Sequence, residues 1–96
     1  MVFYVYILKC FRNKEFCNFY TGYTNDMNRR LAQHQKNAET QNRKKYTGRF
    51  DKISLGCYEL FKIKENAKKR EKKIKLMSTK SKQLLIENFK KLHSKA

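Results

Sequence analysis

The runs VFYVYIL at residues 2–8 and FCNFYTG at residues 16–22 decide how this chain folds. Alternation along the first sets Phe3, Val5 and Ile7 on one face and Tyr4, Tyr6 and Leu8 on the other, the period of a β-strand rich in β-branched and aromatic residues. Between the runs, the polar Arg12-Asn13-Lys14 is a turn signal, so the two runs predict a hairpin. A turn centred on Asn13 sets Tyr6 opposite Tyr20, whereas a turn of another length shifts that register.

Beyond the hairpin, Asn25 and Asp26 are N-cap candidates. Met27, Arg30, Leu31 and His34 then follow at i, i+3, i+4 and i+7, predicting a helix over about residues 26–36. Residues 37–52 are polar and basic and read as a long loop, with at most a short helical turn. Residues 53–61 read as a third strand, in which Gly56 marks a bulge. Asn66 is expected to cap a helix ending near Met77, and Ser78 to start a last helix with Leu85, Phe89 and Leu92 on one stripe. With no repeat, no proline and no linker, residues 1–96 are expected to form one domain.

The chain has 96 residues and sets 24 Lys and Arg against 8 Asp and Glu, a formal net charge of +16. Disorder is one reading of such charge, but 14% aromatic and 40% hydrophobic residues argue for a core. A folded domain this basic favours a polyanion, nucleic acid before an anionic membrane surface. The longest apolar run, residues 2–8, is far short of the roughly 20 residues of a bilayer span, and no lipidation motif is present. With no basic leader or cleavage site, a cytoplasmic protein is expected, with nucleoid association as an option. Cys10, Cys17 and Cys57 lack metal-ligand spacing and read as reduced, buried thiols; with only His34 and His93 to add, a structural metal site is poorly supplied.

Hydrophobic patterning breaks at three places. Arg30 and His34 fall on the inward stripe that Met27 and Leu31 define, and Glu71 falls on the stripe of Ala67, Ile74 and Met77. Uncompensated burial would cost several kcal/mol each, by rough transfer estimates, so these groups are paired or sit in a cleft. One reading is a buried Arg30–Glu71 ion pair with His34 as a hydrogen-bonded core residue. The other is convergence with the hairpin phenols on a site that hydrolyses a phosphodiester. There the carboxylate holds a divalent cation, the guanidinium steadies charge on phosphorus, and a phenol or imidazole takes a proton from water.

These residues carry a family resemblance. Tyr4-Val5-Tyr6, the triplet Tyr20-Thr21-Gly22 and its continuation Tyr-Thr-Asn-Asp-Met-Asn-Arg-Arg-Leu-Ala-Gln-His to His34 resemble the GIY-YIG nucleases, specifically their small single-domain branch. Lys45-Tyr46-Thr47 and Arg70-Glu71-Lys72-Lys73-Ile74-Lys75 also look like this branch. Tyr4 stands where the first motif has glycine and Thr21 where the second has isoleucine.

The resemblance implies an α/β (α+β) fold, a small three-stranded antiparallel sheet flanked by three to four helices. It also implies a DNA endonuclease that makes single-strand nicks with one Mg²⁺ or Mn²⁺ ion, in repair or recombination. Residue by residue, Tyr20 looks like the general base, Tyr6 its companion at the scissile phosphate, Arg30 the stabiliser of the phosphorane and Glu71 the sole protein carboxylate on the metal. His34 matches a position that orients or shares the proton. Relatives such as the nicking subunit of nucleotide-excision repair carry separate targeting modules, so a nuclease subunit that cuts only when a partner protein delivers it is a further alternative.

Residues 62–82 contribute half of the net charge. Lys44, Lys45, Lys68, Lys69, Lys72 and Lys75 are therefore the candidates for sequence-blind contacts to DNA phosphates. A phenol is a poor base at neutral pH unless nearby cations lower its pKa from about 10, so activity is expected to rise with pH. The rival expectation is a basic nucleic-acid-binding module without catalysis.

Overall fold

The computed structural model of the chain describes residues 1–93. In chain order it has β1 (Phe3–Arg12), β2 (Glu15–Thr24), α1 (Met27–Glu39), a short 3-10 turn (Tyr46–Arg49), β3 (Lys52–Phe61), α2 (Lys64–Lys75) and α3 (Thr79–His93). The strands form one antiparallel sheet in the order β2-β1-β3. The expected α+β class and three-stranded sheet are both present, with three α-helices around them.

The hairpin register differs from the expected one. Asn13 and Lys14 take left-handed backbone angles, φ 53° and 67°, and form a two-residue turn whose twist suits a hairpin. Arg12 therefore faces Glu15, and Phe11 faces Phe16. Cys17 is then an extra residue in a bulge, after which Leu8 faces Tyr20 and Tyr6 faces Gly22. Tyr6 and Tyr20 are diagonal neighbours on one face, with ring centroids 6.4 Å apart. No glycine marked the turn, and one inserted residue is enough to move the pairing. The second bulge lies where expected: Ile7 pairs with Cys57 and Leu8 with Leu55, which leaves Gly56 unpaired. A Cβ at Gly56 would lie 2.8 Å from Ile86 Cδ1 and 3.0 Å from the Ile7 carbonyl oxygen, so this glycine lets α3 close on the sheet.

Each face of the sheet has its own core. Val5, Ile7, Phe19 and Cys57 pack with Ala67 and Ile74 of α2 and Ile86 of α3. Tyr6, Leu8, Cys10 and Ile53 pack with Met27 and Ala38 of α1 and with Phe50. The Asp26 carboxylate caps α1 by accepting the Arg29 N–H at 3.1 Å. The helix runs about a turn past its expected end because Ala38 is a core residue, a signal too small to read in a polar stretch. The 3-10 turn sits in what reads as loop.

Helix α2 starts before Asn66, at Lys64, with Ile63 as a cap lacking a side-chain bond. Arg70 of α2 clamps Glu59 of β3 with two bonds, at 2.8 and 3.0 Å. Ser78 caps α3, its Oγ accepting the Ser81 N–H at 3.1 Å. Leu85 and Phe89 pack inward as expected, but Leu92 is 71% exposed, and Ile86 fills the core instead. Cys10 and Cys57 are buried, and burial pushes their thiols up to about 12 and about 11. Cys17 is exposed, against expectation, because it occupies the bulge. Among the described residues, no helix is long and apolar enough to cross a membrane.

Candidate active site

The site grows from the exchange of one side chain for none across two strands. Tyr6 faces Gly22, and a Cβ there would stand 2.5 Å from Tyr6 Oη and 2.8 Å from its Cζ. The glycine opens a lane through which the phenol reaches across β2. Only 1% of Tyr6 is exposed. Its Oη lies 2.9 Å from His34 Nε2 and accepts the Arg30 Nε–H at 3.5 Å. The His34 ring bridges Tyr6 Oη at Nε2 and, at 3.1 Å, Thr47 Oγ1 at Nδ1, donating through one ring nitrogen and accepting through the other. His34 and Thr47 are 5% and 1% exposed, so the 3-10 turn closes the chain of bonds from behind.

The electrostatics follow from this burial. Desolvation pushes Tyr6 up to about 12 against the lowering effect of the Arg30 hydrogen bond, and the charges of Tyr20 and Glu71 push it the same way. Tyr6 is therefore a neutral phenol at physiological pH. Burial, with the Arg30 charge behind it, takes His34 down to about 4, so this imidazole is neutral too. Arg30 is raised, first by its hydrogen bond to Tyr6. A fixed cation thus sits against two neutral, hydrogen-bonded groups.

In front of this buried set lies an open cleft of about 320 Å³, walled by Tyr20, Arg30, His34, Lys45, Tyr46 and Thr47. The half-buried Tyr20 ring stands between His34, at 5.0 Å and edge-on, and Tyr46, at 5.3 Å. Tyr6, Tyr20, Arg30 and His34 are therefore brought together.

Arg30 departs from the inward stripe on which it was expected. It is an exposed residue on the cleft's rim, also donating to Gln33 Oε1 at 3.1 Å. The contemplated Arg30–Glu71 ion pair is absent: Glu71 Oε2 lies 3.6 Å from Lys75 Nζ. Glu71 stands on α2, its side chain 16% exposed, off the walls of this cleft but near enough for its charge to act on Tyr6.

Among the candidate phosphate contacts, Lys45 lines the cleft and Lys44 is exposed beside it. Lys68 is half-buried, Lys69 and Lys72 are exposed along α2, and Lys75 is engaged with Glu71. Thr47 and Tyr46 were flagged only as part of a family-like segment. No local pattern marks them, because Thr47 is buried by its tertiary contact with His34.

Among the described residues, no three His, Cys, Asp or Glu side chains gather as metal ligands. GIY-YIG nucleases are generally dependent on a divalent metal. Glu71 offers one hard oxygen donor group. Mg²⁺ retains several waters and is commonly held by one or two carboxylates plus substrate phosphates. This donor set fits a largely hydrated ion completed by substrate, and does not fit a closed protein cage.

Residues 2–84 match the GIY-YIG catalytic domain. A UPF0213 protein of Staphylococcus haemolyticus is 37% identical over 84 residues, spanning 88% of this chain and 93% of that protein. A UPF0213 protein of Halobacterium salinarum is 34% identical over 83 residues, spanning 86% and 97%. The solution NMR structure of a UPF0213 protein from Bacillus halodurans, 33% identical, resembles this fold with a TM-score of 0.50, covering 91% of this chain and 84% of that one. The glycine that seats Tyr6 and the helix that brings Arg30 and His34 to it both lie within the matched span, and the chain belongs to the GIY-YIG nuclease family, together with these UPF0213 relatives.

Proposed function

We propose that this protein is a divalent-metal-dependent endonuclease that hydrolyses phosphodiester bonds in DNA and leaves single-strand nicks. The observation that carries this reading is the division between Tyr20, open on a cleft with Arg30, and Tyr6, locked behind them by His34. Tyr20 takes the proton of the attacking water through its phenolic oxygen. The water oxygen bonds to phosphorus as the bond to the sugar oxygen breaks, and that oxygen leaves with the electron pair and takes a proton from solvent. Arg30, a cation fixed before substrate arrives, stabilises the charge that develops on the phosphoryl oxygens. Tyr6 holds its hydroxyl against Arg30 Nε and so fixes the guanidinium. His34 orients Tyr6, and the burial that lowers its pKa leaves its neutral imidazole a weak proton acceptor at neutral pH. A divalent ion on Glu71, when bound, would supply Lewis-acid charge to the phosphate. Lys44, Lys45, Lys68, Lys69, Lys72 and Lys75 contact phosphates without reading sequence.

The pairing of Glu71 with Lys75, away from the cleft walls, favours one other reading: a basic module that binds DNA without cutting it. Incubation with supercoiled, single-stranded and branched DNA in Mg²⁺ or Mn²⁺ separates them. Cleavage that disappears in both Tyr20→Phe and Glu71→Ala while DNA affinity persists supports the nuclease. Metal-independent binding with every substrate intact supports the module. Cleavage that appears only in a co-purified complex identifies a nuclease that needs a targeting partner.

A further inference from the structure

A second cleft, of about 400 Å³, adjoins the first and shares Arg30 with it; Phe3, Tyr23, Asn25, Arg29 and Lys64 complete its walls. Its volume falls within the roughly 300–1,000 Å³ of ligand pockets. Three cations face it and no carboxylate lines it. Asp26, next to Asn25 in sequence, accepts the Arg29 backbone N–H with its Oδ1 and lines a different cleft. Among the described residues, neither Arg29 nor Lys64 forms an ion pair. Three like charges around one concavity repel each other, and an anion relieves that repulsion. Phe3 and Tyr23, packed from beneath by the core cluster of Val5 and Ile7, give the cleft an aromatic floor. Cations above an aromatic floor are the two elements that hold a nucleotide of an extended strand.

We propose that this cleft binds the nucleotide adjoining the one that is cut, with Arg29 and Lys64 on its phosphate and Tyr23 and Phe3 beneath its sugar and base. The proposal rests on the nuclease reading, since Arg30 joins the two clefts and one continuous backbone would pass over it. Arg29 and Lys64 are exposed, and their replacement disturbs no packed side chain. They bind substrate and do no chemistry.

The test compares wild type, the double variant Arg29→Ala/Lys64→Ala and a charge-matched control, Lys90→Ala/Lys91→Ala on α3. For cleavage, KM rises about tenfold or more in the double variant with kcat within about twofold, and stays near wild type in the control. By fluorescence anisotropy on single-stranded DNA without metal, the log–log salt slope becomes shallower by about 0.7 for the phosphate lost. A single neutral methylphosphonate next to the cut position weakens cleavage by wild type and adds nothing to the loss in the double variant. Equal KM and salt slope in wild type and double variant, or a methylphosphonate effect that persists undiminished in it, overturns the proposal. If wild type cuts no DNA, the nuclease reading fails by itself. The salt slope then decides the cleft: a loss in the double variant but not in the control supports it, and equal slopes overturn it.

Discussion

The two faces of the sheet are built from the same strands and do opposite things. On the face under α2 and α3, Val5, Ile7, Phe19 and Cys57 meet Ala67, Ile74 and Ile86, and the contact is dry. On the face under α1, the same β1 presents Tyr6, Leu8 and Cys10, and α1 answers with His34 between Met27 and Ala38. Burying an imidazole and a phenol would be expensive if either were left alone. Here the chain Arg30–Tyr6–His34–Thr47 gives each a partner, so the polar face packs as a core and still aims a cation at an open cleft. One face holds the sheet together, and the other holds a preorganised site.

The sharpest way to break this contrast is to cut into the dry face. Ile7 is 1% exposed, and Ile7→Ala is expected to cost about 2–5 kcal/mol, a large share of the stability of a protein this size. Urea unfolding would read it as a shifted midpoint with the slope unchanged. Cleavage per folded molecule should fall far less than stability, because Tyr6, Tyr20, Arg30 and His34 lie on the other face and only α2, with Glu71, and the Phe3–Tyr23 pair rest on the Ile7 cluster.

The polar face should break with pH instead. His34 falls from its ordinary value of 6.5 to about 4 on folding. Above pH 6.5 it is neutral in both states and adds no pH dependence. As pH falls from 6.5 to 4, the unfolded chain takes up a proton that the folded chain refuses, so stability drops by on the order of 3 kcal/mol across that window. Carboxylates begin to titrate at its lower end, and His34→Gln subtracts them. Urea midpoints at pH 7 and pH 4 should differ clearly more in wild type than in the variant. Equal differences would mean that the imidazole is protonated as easily in the fold as out of it.

Much of this contrast could be read in the sequence, for physical reasons. Alternation along residues 2–8 fixes which side chains share a face, because a strand's period of two admits one answer. Arg30 and His34 were visible as polar residues on an apolar stripe. Three features escaped. The diagonal placement of Tyr6 and Tyr20 depends on one bulged residue, Cys17, which composition does not mark. The side to which Arg30 turns depends on Tyr6 and Gln33 as partners, and helical spacing alone pointed it inward. Thr47 is buried by tertiary contact with His34, within a stretch whose local sequence reads as loop. In each case a long-range contact overrode a local pattern.

Gly22 joins the two faces of the argument, since it belongs to the sheet yet exists for the site. An Ala there sets its Cβ 2.5 Å from Tyr6 Oη, so the ring must move off His34 or the strands must part. Overpacking of this kind costs about 1–3 kcal/mol. Gly22→Ala is expected to lose that much stability and, with Tyr6 displaced, a larger fraction of its kcat than of its affinity for DNA. A variant with normal kcat would show that the bond from Tyr6 to Arg30 does not govern the guanidinium.

The smallest effect tests the one blemish on the dry face. Thr21 is buried there, opposite Ile7, and its Oγ1 has no hydrogen-bond partner, the only such buried side-chain atom among the described residues. Leaving a hydroxyl in that state carries a penalty of about 1–3 kcal/mol, while valine has the same shape without the polar atom and suits a strand better. Thr21→Val should therefore raise the urea midpoint by the equivalent of about 1 kcal/mol. The face that Thr21 shares is covered by the α2 stripe carrying Ala67, Glu71 and Ile74, so the cleavage rate should be measured on the same sample. An unchanged rate means that the Thr21 hydroxyl has no part in placing Glu71. A rate that falls as stability rises would mean that the unpaired hydroxyl is retained for Glu71, and that the division of labour between the two faces is one residue less clean than the packing suggests.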